Sequence, residues 1–223
     1  MKSRDYRITL TGETALLLHH DNISWAETMK SWGTDPANRP SSVAGDDRSP
    51  AWRWLGNLYH CAGLLTVPAD NIMTLLREGG MRCPTGKGQK TFKAQTQSGL
   101  MVNETDWNLL IKGKTVPYAP FESLIENSDF QAHEQAAIDH GFVLFVKRAK
   151  IGIAKHIRVR PRFNPGWQIS GTSTVFDDAI TTDVLRNILT FAGAYAGLGD
   201  WRPSSPKSPG PFGKFTAEVE EIR

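Results

Sequence analysis

Residues 155–163 read Lys-His-Ile-Arg-Val-Arg-Pro-Arg-Phe, so cationic and apolar side chains alternate. On a strand, alternate residues fall roughly 6.6 Å apart on one face. His156, Arg158, Arg160 and Arg162 would then form a line of donors able to follow an extended phosphodiester, with Ile157, Val159 and Phe163 turned inward. Four such groups side by side repel one another, and no acid lies near them in the sequence. The same pattern also suits a solvated face whose charges are met by acids of a neighbouring strand. The surrounding window 140–176 adds Lys147, Arg148, Lys150 and Lys155 and contains no Asp or Glu.

Two further stretches are basic and free of acids. Residues 79–103 carry Arg82, Lys87, Lys90 and Lys93, the three lysines lying around Phe92. Basic residues interleaved with an aromatic suit a strand held by phosphate contacts and stacking; a flexible, soluble loop is the competing reading. Residues 201–217 carry Arg202, Lys207 and Lys214 beside Trp201. The formal net charge is only +3, so the remainder of the chain is acidic. A molecule with a basic and an acidic side is a natural binder of polyanions.

Other chemistry finds less support. The run Thr-Gly-Lys-Gly-Gln-Lys-Thr at 85–91 is no phosphate loop, because Met81 stands where the first glycine belongs and Gly88 follows Lys87. His19, His20 and Asp21 are sequence neighbours, and adjacent strand residues point to opposite faces, so they do not share a metal easily. No metal and no cofactor is implied. Asp46 and Asp47 read as plain acids ahead of a helix start, where the dipole favours them. Gly171-Thr-Ser-Thr-Val175 lacks the closing glycine of a nucleophile elbow. Cys61 and Cys83 have no metal or disulfide spacing and are expected to be buried thiols of a reducing compartment. With no leader-like start and no apolar run of 18 residues, the chain is expected to be cytoplasmic and not membrane-bound.

The elements that must position these groups follow from pattern. Tyr6–Thr11 alternates as a strand and runs into the apolar stretch 15–18. Ser24 and Glu27 form a capping box for a short helix carrying Trp25, Met29 and Trp32. Residues 33–50 are rich in Pro, Gly, Ser and Asp and read as a mobile loop, after which Ser49-Pro50 caps a helix with Trp52, Leu55 and Tyr59. A helix spans 68–78 and ends at Gly79-Gly80. Residues 81–98 are an exposed loop or loose hairpin. Strands are expected at 109–111, 142–146, 155–163, 167–176 and 215–222, with a helix capped by Thr181 or Thr182 before the last. This order predicts an α+β fold of ferredoxin-like type, one domain over 1–223 with an antiparallel sheet and insertions at about 23–66 and 81–140. Such a sheet covers one face with helices and leaves the other open for a ligand.

The tail, a helix followed by Gly-Leu-Gly-Asp-Trp-Arg-Pro-Ser-Ser-Pro-Lys-Ser-Pro-Gly-Pro-Phe-Gly-Lys-Phe and a terminal strand, resembles the carboxy-terminal glycine-rich loop of the RAMP superfamily. That superfamily includes the backbone subunits of CRISPR effector complexes. The opening Ile-Thr-Leu-Thr-Gly-Glu-Thr-Ala-Leu-Leu-Leu is similar to the first strand of such proteins, and the layout is also similar to proteins of phages and prophages. The resemblance covers roughly the first twenty and last fifty residues. It implies an RRM-like core that binds RNA or single-stranded DNA along a row of identical subunits, with other effector-complex subunits as further partners. Gly197, Gly199, Gly210 and Gly213, with Arg202, Lys207 and Lys214, carry over as the loop approaching a phosphate backbone, and Trp201 offers a stacking surface. Four prolines in this loop depart from the simpler glycine-rich form. The expected function is sequence-tolerant single-strand binding, with copies side by side on the ligand. The alternatives are an RNA endonuclease of the same superfamily, which the resemblance implies would use the loop aspartate Asp46 or Asp47 with or without His20, and an interaction protein that mimics or blocks a nucleic-acid-binding assembly.

Overall fold

Strict alternation builds β1 (Arg4–Gly12), whose Tyr6, Ile8 and Leu10 are fully buried while Arg7 faces solvent. The computed structural model describes residues 3–151 and 154–222. In chain order β1 is followed by β2 (Leu16–Leu17), α1 (Ile23–Thr34), β3 (His60–Cys61), β4 (Leu64–Pro68), α2 (Ala69–Arg82), α3 (Lys93–Ser98) and β5 (Leu100–Val102). Then come β6 (Asp106–Ile111), β7 (Lys114–Thr115), α4 (Ala119–Glu122), α5 (Phe130–Asp139), β8 (Phe142–Ile151), β9 (Ala154–Phe163), β10 (Gln168–Val175), α6 (Thr182–Phe191) and β11 (Phe215–Glu221). The fold is α+β, and its strand ladders are antiparallel. Among the described residues no helix is long and apolar enough to cross a membrane.

The main sheet runs β11-β1-β10-β6-β4-β3, with β5 added on β10 and β7 on β6. Helices α2 and α6 pack against each other and cover one face, where Ile8 lies opposite Gly171 and Val219. The α6 stripe of Leu185, Ile188 and Leu189 is buried there, and Thr181 caps the helix by accepting from the Val184 amide. The other face carries Arg7, Thr9 and Thr11 beside Ser170, Thr172 and Thr174, and it is closed on itself by hydrogen bonds. Thr9 meets Ser170 at 2.9 Å, Thr172 donates to Glu104 at 2.8 Å, and Thr174 donates to Asp5 at 2.6 Å.

A second sheet, β2-β9-β8, is built on the long β8–β9 hairpin. After Gly12 the chain leaves the main sheet, and β2 pairs with the root of β9, Leu16 opposite Phe163. An aromatic cluster anchors that root: Trp54, Phe121, Phe142 and Phe163 are all fully buried, with the Phe142 and Phe163 rings 4.7 Å apart. Such a buried cluster fixes the hairpin base rigidly on the body.

Several local expectations are corrected. The α1 cap is Asn22, whose Oδ1 accepts from the Trp25 amide at 3.0 Å; Ser24 lies inside the helix. Residues 33–50 are not simply a mobile loop, because their end docks as a bridge of Asp46 onto Ile157 of β9. Arg53–Asn57 is a 3₁₀ turn rather than an α-helix, and it has no side-chain cap. Gly79 and Gly80 do not end α2. A Cβ on Gly79 would strike the Ile188 carbonyl of α6, and one on Gly80 would strike Thr96 of α3. These glycines serve close helix approach at a cost of about 1 kcal/mol each in propensity. Residues 93–98, expected as loop, form α3, and Cys61 is exposed while Cys83 is buried.

Candidate functional site

The β8–β9 register sets Phe145 opposite Arg160, Lys147 opposite Arg158 and Ala149 opposite His156. Directly opposed residues share a face, so these six side chains line one side of the hairpin. Val159 is fully buried on the other side, as the alternation predicts. The same parity places Arg148 and Lys155 opposite Ile157 and Lys150, away from this line, which corrects the expectation that all the basic residues of the window act together. The side chain of Lys150 lies outside what the structure describes.

The line is not a row of free cations. Arg158 Nη1 donates to both oxygens of Asp47, at 3.0 and 3.1 Å, and Arg53 reaches the same carboxylate at 3.5 Å. Arg160 Nη1 lies 2.5 Å from Asp200, at ion-pair distance without hydrogen-bond direction. The acids come from loops 111 and 40 positions away along the chain, which is why a scan of neighbouring residues finds none. A guanidinium has five N–H donors, so a single carboxylate orients it and leaves donors over. Arg162 and Lys147 make no ion pair with the described acids. Arg162 lies over the Phe145 ring at 5.7 Å, with its Nε buried and unpartnered, and the Lys147 ammonium sits 3.1 Å from the Trp201 ring centre.

Asp46 is held by the backbone and guanidinium of Arg48, whose hydrogen bonds keep its carboxyl below the usual range. Asp47 and His20 do share a cavity of about 570 Å³, yet both Asp47 oxygens face arginines. His20 stacks on Tyr59 at 4.5 Å.

The terminal loop meets the hairpin, but its glycines face the protein rather than outward. Gly213 has φ +75° and sits against Leu198, a position where a side chain would meet the Leu198 carbonyl. Gly197 and Gly199 press on Pro203 and Leu17, and Gly210 on Trp201. The loop is tied down by Asp200 N to Leu17 O at 2.8 Å and Gly213 N to Ala15 O at 2.8 Å. Arg202, expected to be a free phosphate contact, instead donates to Glu78, Gly199 O and Ser204. Its job here is to clamp the loop to α2. Trp201 packs at 5.5 Å from Phe212, which itself lies 5.6 Å from Phe145. Lys207 is exposed and Lys214 half-buried.

The third basic stretch lies elsewhere. Lys87 and Lys90 are exposed on a small loop closed by Thr85 N to Lys90 O, and Lys93 is exposed at the start of α3, which packs on α2 and β5. Phe92 is buried among the helices and cannot stack on a ligand, because the turn between α2 and α3 needs an apolar plug.

What emerges is a groove of about 320 Å³ lined by Phe145, Lys147, Arg158, Arg160, Trp201 and His19, with Asp47, Asn57 and Ala149 completing it. His19 also lines the 570 Å³ cavity beside α1 and a third of about 230 Å³ beneath the terminal loop. Burial, then the Arg160 charge, lowers the His19 pKa from 6.5, with Asp200 and Asp21 opposing. His19, weighed in the sequence only as a metal ligand, lines the groove, whereas Phe145, Phe212 and Asn57 were not singled out. Only the parity of Phe145 with Lys147 on one strand could have signalled any of them. No protein-family model matches this chain, and no curated protein matches it.

Proposed function

We propose that this protein binds single-stranded nucleic acid along the hairpin groove. The observation carrying the reading is the face shared by Phe145, Lys147, Arg158, Arg160 and Trp201: aromatic planes set between cations whose donors are held in place by loop carboxylates. Stacking surfaces flanked by phosphate contacts suit a single strand and not a duplex, whose bases are already stacked. Strand order β11-β1-β10-β6 with α2 and α6 on one face agrees with a ferredoxin-like core, and it supports the RAMP resemblance of the two chain ends. On that reading the hairpin is an addition to the core, and binding has moved to it from the sheet. An RRM stacks bases on sheet aromatics, whereas β1 and β10 offer arginine, threonine and serine there. The edge of β11 carries Glu218, Glu220 and Glu221 and the hairpin carries the opposite charge, which suits side-by-side copies on one strand.

Titration of a fluorescent single-stranded oligonucleotide at three salt concentrations tests the reading. Affinity should fall with salt at a log–log slope near −0.7 per phosphate contact. Absence of binding at low salt would overturn it.

A further inference from the structure

The cavity beneath the terminal loop differs in chemistry from the groove it adjoins. It holds about 230 Å³ between Asn71 and Thr74 of α2, Tyr59, the backbone of residues 197–200 and the turn at 19–21. That is smaller than the ~300–1,000 Å³ of drug-sized sites and suits one planar ring system. His19 lines both this cavity and the groove, so a strand lying in the groove passes its mouth. The groove presents cations, whereas two carboxylates, Asp21 and Asp200, line this cavity, and its Arg202 guanidinium is turned to Glu78, Gly199 O and Ser204. Asp21 stands exposed at its rim, and Asp200 lines it while its Oδ2 is ion-paired with Arg160. Tyr59 forms a flat wall, fixed from behind by its stack on His20 at 4.5 Å and by its hydroxyl donating to His19 O at 2.9 Å.

We propose that this cavity takes one guanine base turned out of the bound strand, with its N1–H and N2–H donated to the Asp21 carboxylate. Guanine is the base whose pairing edge presents two adjacent donors, and a carboxylate presents two acceptors in the same spacing. Adenine and cytosine set a ring acceptor beside their amino group, which would face the carboxylate unfavourably. Uracil and thymine offer one donor between two carbonyls. The Asn71 amide stands in the same lining to serve the O6 edge, and the Tyr59 ring supplies the stacking plane that splayed bases take in single-strand recognition. The proposal rests on the nucleic-acid reading and sharpens it from sequence-tolerant binding to binding with one selective position.

The test uses the full-length protein and three labelled strands: oligo-uridine, the same strand with one central guanosine, and the same strand with inosine there, which lacks the N2 amino group. Anisotropy should show the guanosine strand binding roughly 5- to 150-fold tighter than oligo-uridine, the range of a good bidentate side chain–base pair. Inosine should lose most of that gain. Asp21→Asn should bind all three strands within about twofold of one another, at an unchanged melting temperature because Asp21 is exposed. Asn71→Ala should reduce the preference partially, and Glu218→Gln on the far sheet should retain it. Equal binding of the three strands by the unaltered protein, or a preference that survives Asp21→Asn, overturns the guanine site while leaving the groove standing. Failure of all three strands to bind overturns both.

Discussion

The open face of the main sheet and the groove face of the hairpin are both regular antiparallel surfaces, and they treat their polar groups in opposite ways. On the sheet, Thr9, Thr172, Thr174, Asp5 and Glu104 satisfy one another, and burial of Glu104 is outweighed by the hydrogen bonds from Thr172 and Trp107 that keep its pKa low. Where the hairpin meets the terminal loop, Arg162 Nε and Trp201 Nε1 are buried without a partner, and Asp200 meets Arg160 as an ion pair only. An unmet buried polar group costs about 1–3 kcal/mol that folding alone does not repay. On the proposed reading, a ligand gains most at the hairpin rather than on the main sheet.

The sharpest way to break this contrast is charge reversal on each face. Lys147→Glu with Arg162→Glu should remove two charge-assisted contacts of about 1.5–3 kcal/mol each and weaken strand binding at least ~100-fold. Arg7→Glu on the sheet should change it by less than about twofold at moderate salt. Anisotropy on both variants checks this, and equal effects would erase the distinction.

Arg202→Ala should act on stability first. It strands Glu78, whose second oxygen is already unpartnered, and frees the loop from α2. A loss of about 1–3 kcal/mol is expected, after allowance for partial exposure of the pair. Thermal melting reads it, and a variant that melts normally while losing strand binding would return Arg202 to the role of a ligand contact.

Asp47→Ala separates the two jobs of the buried carboxylate. Stability should fall by about 1–2 kcal/mol, because Arg158 and Arg53 lose their partner but keep access to water. Strand affinity should hold or rise, with a salt slope steeper by about 0.7 if Arg158 turns to phosphate. Abolished strand cleavage with intact binding would instead favour a catalytic aspartate.

The smallest effect is set by pH beneath the hairpin. His133 is fully buried, accepts from Trp54 Nε1 at 3.2 Å and shares a 2.9 Å contact with Asn127 O, so it is held neutral. Burial lowers its pKa from 6.5 in the folded state, with the Asn127 carbonyl and Asp129 opposing. The unfolded chain therefore takes up the proton first. Stability is complete above pH 6.5, declines as pH falls below it, and stops declining through this group once the native pKa is passed. Melting curves between pH 5 and 8 should show a decline of that shape that is shallower in His133→Gln.

Local pattern determined a good deal of this molecule. The alternation of Tyr6, Ile8 and Leu10, the α6 stripe capped at Thr181, and the two-faced strand 155–163 each follow from residues within one element, because side-chain period and capping are short-range physics. Tertiary structure decided what those elements are for. That Gly79 and Gly80 admit neighbouring helices instead of ending one depends on where α6 and α3 come to rest. That Phe92 is a plug and Arg202 a clamp depends on packing against α2. Whether Arg158 and Arg160 stand free or paired was settled by Asp47 and Asp200, acids that only the folded chain brings to them. Charge acts through space over several ångströms, so a cation's partners are invisible to any reading that looks only along the chain.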